Sequence, residues 1–409
     1  MWRRYLQFWQ SVVPSKFIVM QREELRREFL DVLHHNILSF WSERMVDQER
    51  GGFYGRIDGR GVVDLQAPKG AILNARILWA FSAAYRTLGG ESYLEMATRA
   101  KEYFVEHFID REYGGVYWSL TPQGAPLDTK KQIYALGFAI YGLSEYYRAT
   151  GDEGALAEAL SLYNSIEEHS FDSERDGYFE AFTREWAEIG DMRLSARDAN
   201  ECKTMNTHLH ILEPYTNLYR ACPSEPLRAK LTNLVEIFLD KIYNPRTGHL
   251  GLFFNEEWES RDEGYSYGHD IEASWLLLEA ALEVGDDEFV ARVESVAQRI
   301  AAAADEGLRG DGSMVYERRA DGDLDEDRHW WVQAENVIGH LWLDAHHLQD
   351  GAYQKAVNGW NYIKHQLLSS EGEWYWSRRS TGEINQEDDM AGFWKCPYHN
   401  SRMALFFEE

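Results

Sequence analysis

Cysteine is scarce in this sequence. The 409 residues include three, Cys202, Cys222 and Cys396, too few and too scattered for a disulfide framework or a paired-thiolate metal site. A reducing, cytoplasmic setting is expected. Positive charge is short as well: 42 Lys and Arg face 68 acidic residues, for a formal net charge of −26. The acidic side chains are spread along the chain, so polyanions are repelled over most of the surface and nucleic acid is not expected as a partner. No apolar run approaches the length of a membrane span. Residues 1–20 carry Arg3 and Arg4, but Gln7, Gln10, Ser11, Pro14, Ser15 and Lys16 interrupt any signal-peptide core. They are expected to form a loose N-terminal extension. No Pro-rich, Gly/Ser-rich or single-charge linker divides the rest. With 44% hydrophobic and 27% charged residues, residues 21–409 read as one large globular domain.

What the chain does have is a repeat. Six glycine turns are flanked by aromatic or β-branched residues: Gly51-Gly52-Phe53-Tyr54, Gly114-Gly115-Val116-Tyr117, Asp176-Gly177-Tyr178-Phe179, Gly248-His249-Leu250, Asp311-Gly312-Ser313-Met314 and Gly372-Glu373-Trp374-Tyr375. They recur at steps of roughly 63, 62, 71, 64 and 60 residues, too long for solenoid repeats and right for helical pairs with a decorated loop. A second mark falls between them, as in Leu88-Gly89-Gly90, Thr150-Gly151-Asp152 and Val284-Gly285-Asp286, where Gly stops one helix and an acidic residue can cap the next.

The segment after each joint is amphipathic, with Tyr93, Ala97, Ala100, Phe104 and Phe108 at helical spacing. The segment before it is apolar nearly all round, as in Ile77-Leu78-Trp79-Ala80-Phe81, and must be covered on almost every side. Six outer and six inner helices predict an all-α (α/α)6 barrel of twelve helices, with hairpin loops at one mouth. An open solenoid would expose the inner helices.

The starts of the inner helices are unlike their bodies. They carry Asn74 and Arg76; Gln132 and Tyr134; Asn206, His208 and His210; His269 and Glu272; Trp330, Trp331 and Glu335; and Trp394, Lys395, Tyr398 and His399. Polar groups at the rim of a buried bundle need partners or a ligand. Asn206 and His210 share a helix face while His208 points elsewhere, which favours His210 for the pocket and a structural role for His208. His269 and Glu272, three apart, are expected to pair so that the carboxylate orients the imidazole. Trp330, Trp331 and Trp394 are expected at the mouth as flat walls for a sugar ring. A metal reading of His208-x-His210 fails because residues two apart cannot converge from a helix, and no HExxH or cysteine pair supports it. No metal is expected.

In the stretches Ala67 to Arg76, Ser195 to Asp198, Met205 to His210, Gly268 to Trp275, Arg328 to Glu335 and Phe393 to Asn400, the sequence resembles the N-acylglucosamine 2-epimerase superfamily, and within it the bacterial members that epimerise disaccharides. The resemblance implies the (α/α)6 fold. It implies an enzyme that inverts C2 of the reducing-end glucose of a β-1,4-linked disaccharide, by ring opening and proton exchange through an enediolate, with that small sugar as its partner. A monomer is expected. It further implies that His269 and His399 are the acid/base pair, assisted by His210, that Arg76, Tyr134, Asn206 and Glu272 bind or polarise the sugar, that Asp198 helps hold it, and that Trp331 and Trp394 stack on it. Two imidazoles suit this exchange because their pKa lies near working pH, and no redox cofactor is required. The rivals are an aldose–ketose isomerase or an N-acylglucosamine epimerase on the same fold, and an (α/α)6 glycoside hydrolase, which needs two carboxylates flanking the scissile bond.

Overall fold

The computed structural model describes residues 16–408. Helix α1 runs as Lys16–Val32, widens into a π-helical turn at Leu33–Leu38 and ends as Ser39–Arg44. Residues 16–20, expected in a loose extension, are thus the start of the first outer helix; residues 1–15 lie outside the described residues. Eleven more helices follow: α2 (Ala71–Leu88), α3 (Glu91–Tyr103), α4 (Ile133–Thr150), α5 (Glu153–His169), α6 (Met205–Ala221), α7 (Glu225–Ile237), α8 (Tyr267–Val284), α9 (Asp287–Ala304), α10 (Trp330–Ala345), α11 (Ala352–Gln366) and α12 (His399–Ala404). The even-numbered helices are the inner ones. Ala71 to Ala84 of α2 is buried without a break, as its all-round apolarity requires.

The glycine turns serve one repeated device. In each unit a residue just beyond the outer helix forms an antiparallel bridge across the turn: Val46 with Phe53, Ile109 with Val116, Phe171 with Tyr178, Tyr243 with Leu250, Leu308 with Met314 and Leu368 with Trp374. At the tight joints Gly151 and Gly285 adopt the left-handed conformation that ends α4 and α8, and Asp152 and Asp286 cap the next helices through Ala155 N and Phe289 N.

Short strands then tie each unit to the next. The strand entering each inner helix pairs with the hairpin of the following unit: Lys69 with Leu120, Lys131 with Phe182, Lys203 with Phe254, Tyr265 with Arg318 and Arg328 with Arg378. The sixth pairing joins Ala391 back to Ile57. The outer wall closes in the same way, through Trp360 Nε1 to Glu28 at 2.7 Å and Trp41 Nε1 to Glu373 at 2.5 Å. A cyclic set of pairings is incompatible with an open solenoid, so the repeat closes as the (α/α)6 barrel.

Candidate active site

Because all the inner helices start at the same mouth, equal positions along them form layers. The sixth residues of α2, α4, α6, α8 and α10 are Arg76, Phe138, His210, Glu272 and Glu335; the ninth are Trp79, Tyr141, Glu213, Trp275 and Ile338. Residues three apart share a helix face, so both layers look inward. In α6, α8 and α10 the fourth residue holds the bridge of its unit instead. His208 Nε2 accepts from Tyr178 N at 2.9 Å, Asp270 Oδ1 from Leu250 N at 3.0 Å and Gln333 Oε1 from Met314 N at 2.9 Å. His208 is structural, as its helical phase suggests.

The inward layers meet α12. Arg402, almost wholly buried, donates Nη2 to Glu272 at 2.7 Å and to Glu335 at 2.6 Å, while its Nη1 reaches Glu213. The Tyr398 hydroxyl donates to Glu213 as well. His399 Nδ1 lies 2.7 Å from Glu335 Oε1 and 3.8 Å from Glu272. His210 Nδ1 lies 3.3 Å from Glu213, with its ring against Tyr134 and Phe138 at centroid separations of 5.0 Å. Arg76 donates to the Tyr134 hydroxyl at 2.8 Å and stands over the Phe138 ring at 4.0 Å.

Trp331 links the two proposed acid/base imidazoles: its ring lies 4.7 Å from that of His269 and 5.6 Å from that of His399. Trp394 packs near Tyr134, 6.0 Å between centroids.

Burial without a charged partner pushes His269 down to about 3. Burial, reinforced by Arg76 and Arg402, also holds His399 well below the usual imidazole range. With Nδ1–H given to Glu335, the neutral His399 ring keeps its Nε2 lone pair for a substrate proton. Burial and the neighbouring Glu335 push Glu272 well above the ordinary carboxylate range. Burial also works to raise Glu213, but Arg402, with His210 and Tyr398, outweighs it and holds this carboxyl at about 2.

The sign for stability follows. Glu213 has an ordinary value of 4.5, so its ionised form adds stability above that pH and loses it as pH falls toward 2. Glu272 works in the opposite sense: its contribution is complete at low pH and fades as pH rises above its ordinary value. Urea midpoints measured from about pH 5 to 2 should therefore fall for the wild type, and less steeply for Glu213→Gln.

Two expectations fail here. Glu272 does not orient His269: its Oε1 is taken by Arg402, and His269 Nδ1 is buried with no hydrogen-bond partner. The carboxylate that orients an imidazole is Glu335, on His399. Trp330 is not a mouth residue either. It is buried against Trp376 and lies over the Lys395 ammonium, because the first residue of α10 points away from the inward face that Trp331 and Glu335 share. Lys395 itself is buried on Glu373 at 2.6 Å.

Glu213 and Arg402 were not among the sequence candidates. Each lies three residues beyond one that was, His210 and His399, and that spacing is the signal that could have found them.

Above the cluster opens a cavity of about 900 Å³. Its wall includes His269, Asn206, Asp198, Tyr316 and His329 and does not include His210, His399 or Arg76, which are almost wholly buried. Asn206 Oδ1 is buried and unpartnered. Asp198 closes a turn through Ser195 N at 2.8 Å, on a loop that Gln132 holds by the carbonyls of Met192 and Arg193 at 3.1 and 3.0 Å. It stands in the same cavity wall as His269.

Among the described residues, Glu272, Glu335 and His399 bring potential metal-ligand atoms within 4.8 Å of one another. Arg402 already bridges both carboxylates and Glu335 holds His399 Nδ1, so the guanidinium takes the place a cation would occupy.

Fold and site together define an (α/α)6 barrel whose core gathers imidazoles, carboxylates and arginines beside a sugar-sized cavity lined mostly by polar and charged side chains. The chain belongs to the N-acylglucosamine 2-epimerase (GlcNAc 2-epimerase) family, whose model matches residues 52–401. It is 58% identical over 385 residues to the cellobiose 2-epimerase of Bacteroides fragilis, covering 94% of this chain and 98% of that one. The structure of cellobiose 2-epimerase from Bacillus thermoamylovorans superposes with a TM-score of 0.90 at 40% identity, covering 94% of this chain and 99% of that one. A D-mannose isomerase structure shares the fold at a TM-score of 0.78 and 18% identity, covering 96% and 98%.

Proposed function

We propose that this protein catalyses reversible C2 epimerisation of the reducing-end glucose of β-1,4-linked disaccharides, converting cellobiose to glucosyl-mannose and lactose to epilactose. The observation that carries this reading is the placement of His269, which lines a cavity large enough for two sugar rings, and the buried His399 on one indole, that of Trp331. The 58% identity to a protein named for this activity supports it.

Ring opening exposes an aldehyde, which acidifies the C2–H bond. One imidazole, neutral, takes the C2 proton; the electron pair moves into C1–C2 and the carbonyl oxygen becomes an enediolate oxygen. The other imidazole, charged, returns a proton to the opposite face of C2, and the carbonyl re-forms. Turnover exchanges the two protonation states, and proton exchange with solvent restores them before the next forward turnover. Arg76 and Asn206, with His210, stabilise the developing oxygen charge. Glu335 holds the His399 ring through its Nδ1–H and offsets the charge that the ring gains on taking a proton. Trp331 and Trp394 provide flat walls for the ring, and Asp198 holds it from the cavity side.

We infer a single catalytic domain that takes in the described residues 16–408 and acts as a monomer in the cytoplasm without nucleic-acid or membrane partners. The three free cysteines and the dispersed negative charge support this. Among the described residues no helix is long and apolar enough to cross a membrane.

Incubation with cellobiose, lactose and mannose in deuterated buffer tests the proposal. The expected products are the C2 epimers of the two disaccharides, deuterated at C2. Fructose from mannose, with no disaccharide epimer, would replace this reading by the isomerase; free glucose from cellobiose would point to a hydrolase.

A further inference from the structure

Three of the six units build the strand entering their inner helix in one way. A lysine two residues before the helix, Lys69, Lys131 or Lys203, buries its ammonium on Asp47, Asp110 or Asp172 at 3.0, 2.8 and 2.8 Å. That aspartate directly follows the bridge residue of the same unit. In the fifth unit both partners differ. The strand position is Arg328, and the residue after bridge residue Leu308 is Arg309, which turns to Glu326 and to backbone oxygens.

Arg328 therefore has no aspartate to meet, and it stands in register with Arg378 on the neighbouring antiparallel strand. Like charges directly opposite each other cost stability unless something lies between them. The hydrogen bonds that hold the two guanidiniums go to uncharged oxygens: from Arg328 to Ser313 Oγ at 3.4 Å and Glu326 O at 2.5 Å, and from Arg378 to Gln366 O at 2.6 Å and Gly382 O at 3.1 Å.

Both arginines line a cleft of about 410 Å³ that shares only Arg379 with the wall of the catalytic cavity. Tyr362 and His365 line it too. One carboxylate is present, that of Asp311, and its Oδ1 is engaged by Ser313 N and Oγ at 3.0 and 2.6 Å. In a chain of net charge −26, an arginine pair without a carboxylate partner is the reverse of the prevailing surface.

We propose that this cleft binds a phosphate group, as the free anion or as a monoester, between Arg328 and Arg378, with the Tyr362 hydroxyl and the His365 imidazole as further donors. Paired guanidiniums match phosphate oxygens in charge and in forked geometry, and the bound anion converts a repulsion into two attractions.

The test compares the intact wild type with Arg328→Gln and Arg378→Gln in low-salt buffer, by thermal melting and calorimetric titration with inorganic phosphate and with glycerol phosphate. Without phosphate each substitution should raise the melting temperature by about 1–2 °C, because it removes the repulsion. Phosphate should raise the wild-type melting temperature saturably and bind at least about tenfold more weakly to either variant. Competition by glycerol phosphate would show that the cleft accepts monoesters; binding of inorganic phosphate alone would assign it to the free anion. Epimerisation without phosphate should stay within about twofold of wild type. The proposal is overturned if the wild type binds no phosphate, or if both variants bind it as the wild type does, which would place the anion at Arg76 and the histidines instead.

Discussion

Replacing His399 by Asn is expected to lower the epimerisation rate by about a thousandfold or more while leaving the fold intact, and His269→Asn should do the same. Positioned acid/base groups contribute roughly 10²–10⁴-fold, and in this reaction each imidazole serves one face of C2, so neither can substitute for the other. Asn at 399 can still donate to Glu335 where His399 Nδ1 now does, which protects the buried carboxylate from losing its partner. At 269 there is no such bond to lose. Solvent deuterium exchange at C2 of cellobiose separates the two roles, since the variant that lacks the base facing the C2 proton should show none. Near-normal epimerisation in either variant, with circular dichroism unchanged, would remove that residue from the acid/base pair.

The largest effect on stability is expected at Arg402. Its guanidinium serves Glu213, Glu272 and Glu335 together. Removing one partner of a buried ion pair costs about 3–5 kcal/mol because the other is left uncompensated. Arg402→Met strands three carboxylates at once and should lose at least that much in urea unfolding, or fail to accumulate as soluble protein. Arg402→Lys keeps the charge but not the fork and should fall between. The double variant Glu213→Gln with Arg402→Met should recover part of the loss, because it removes one of the stranded charges. A loss in the double variant equal to the sum of the losses from Glu213→Gln and Arg402→Met alone would mean that Glu213 and Arg402 are not coupled.

The barrel was legible because its signals are local and repeated: a glycine turn in every unit, and a change from wholly apolar to amphipathic helix at every joint. The site was legible where helical phase could act, as in the separation of His208 from His210. It failed where the partner comes from far along the chain. Glu272 and His269 share a helix, and spacing alone made them a pair, but Arg402, 130 positions away, claims the carboxylate. Glu213 meets the same arginine across 189 positions. Helix α12 is only six residues long, too short for a period to assign Arg402 a face. Trp330 and Trp331 are adjacent and equally aromatic, so composition could not say which of them turns inward.

The cyclic strand pairing also orders assembly. Its last link joins residue 391 to residue 57, a contact of very long range in sequence, whose loop-closure entropy must be met before any of its contacts reward it. The segment just beyond that link carries Tyr398, His399 and Arg402. During synthesis the first five inner helices can gather while Glu213, Glu272 and Glu335 still face one another without their cation, so a chain stopped before residue 391 has both an unclosed wall and a self-repelling centre. Closure of the ring, neutralisation of its core and completion of the site thus coincide in one late step, and an incomplete chain has no route to a partly working enzyme.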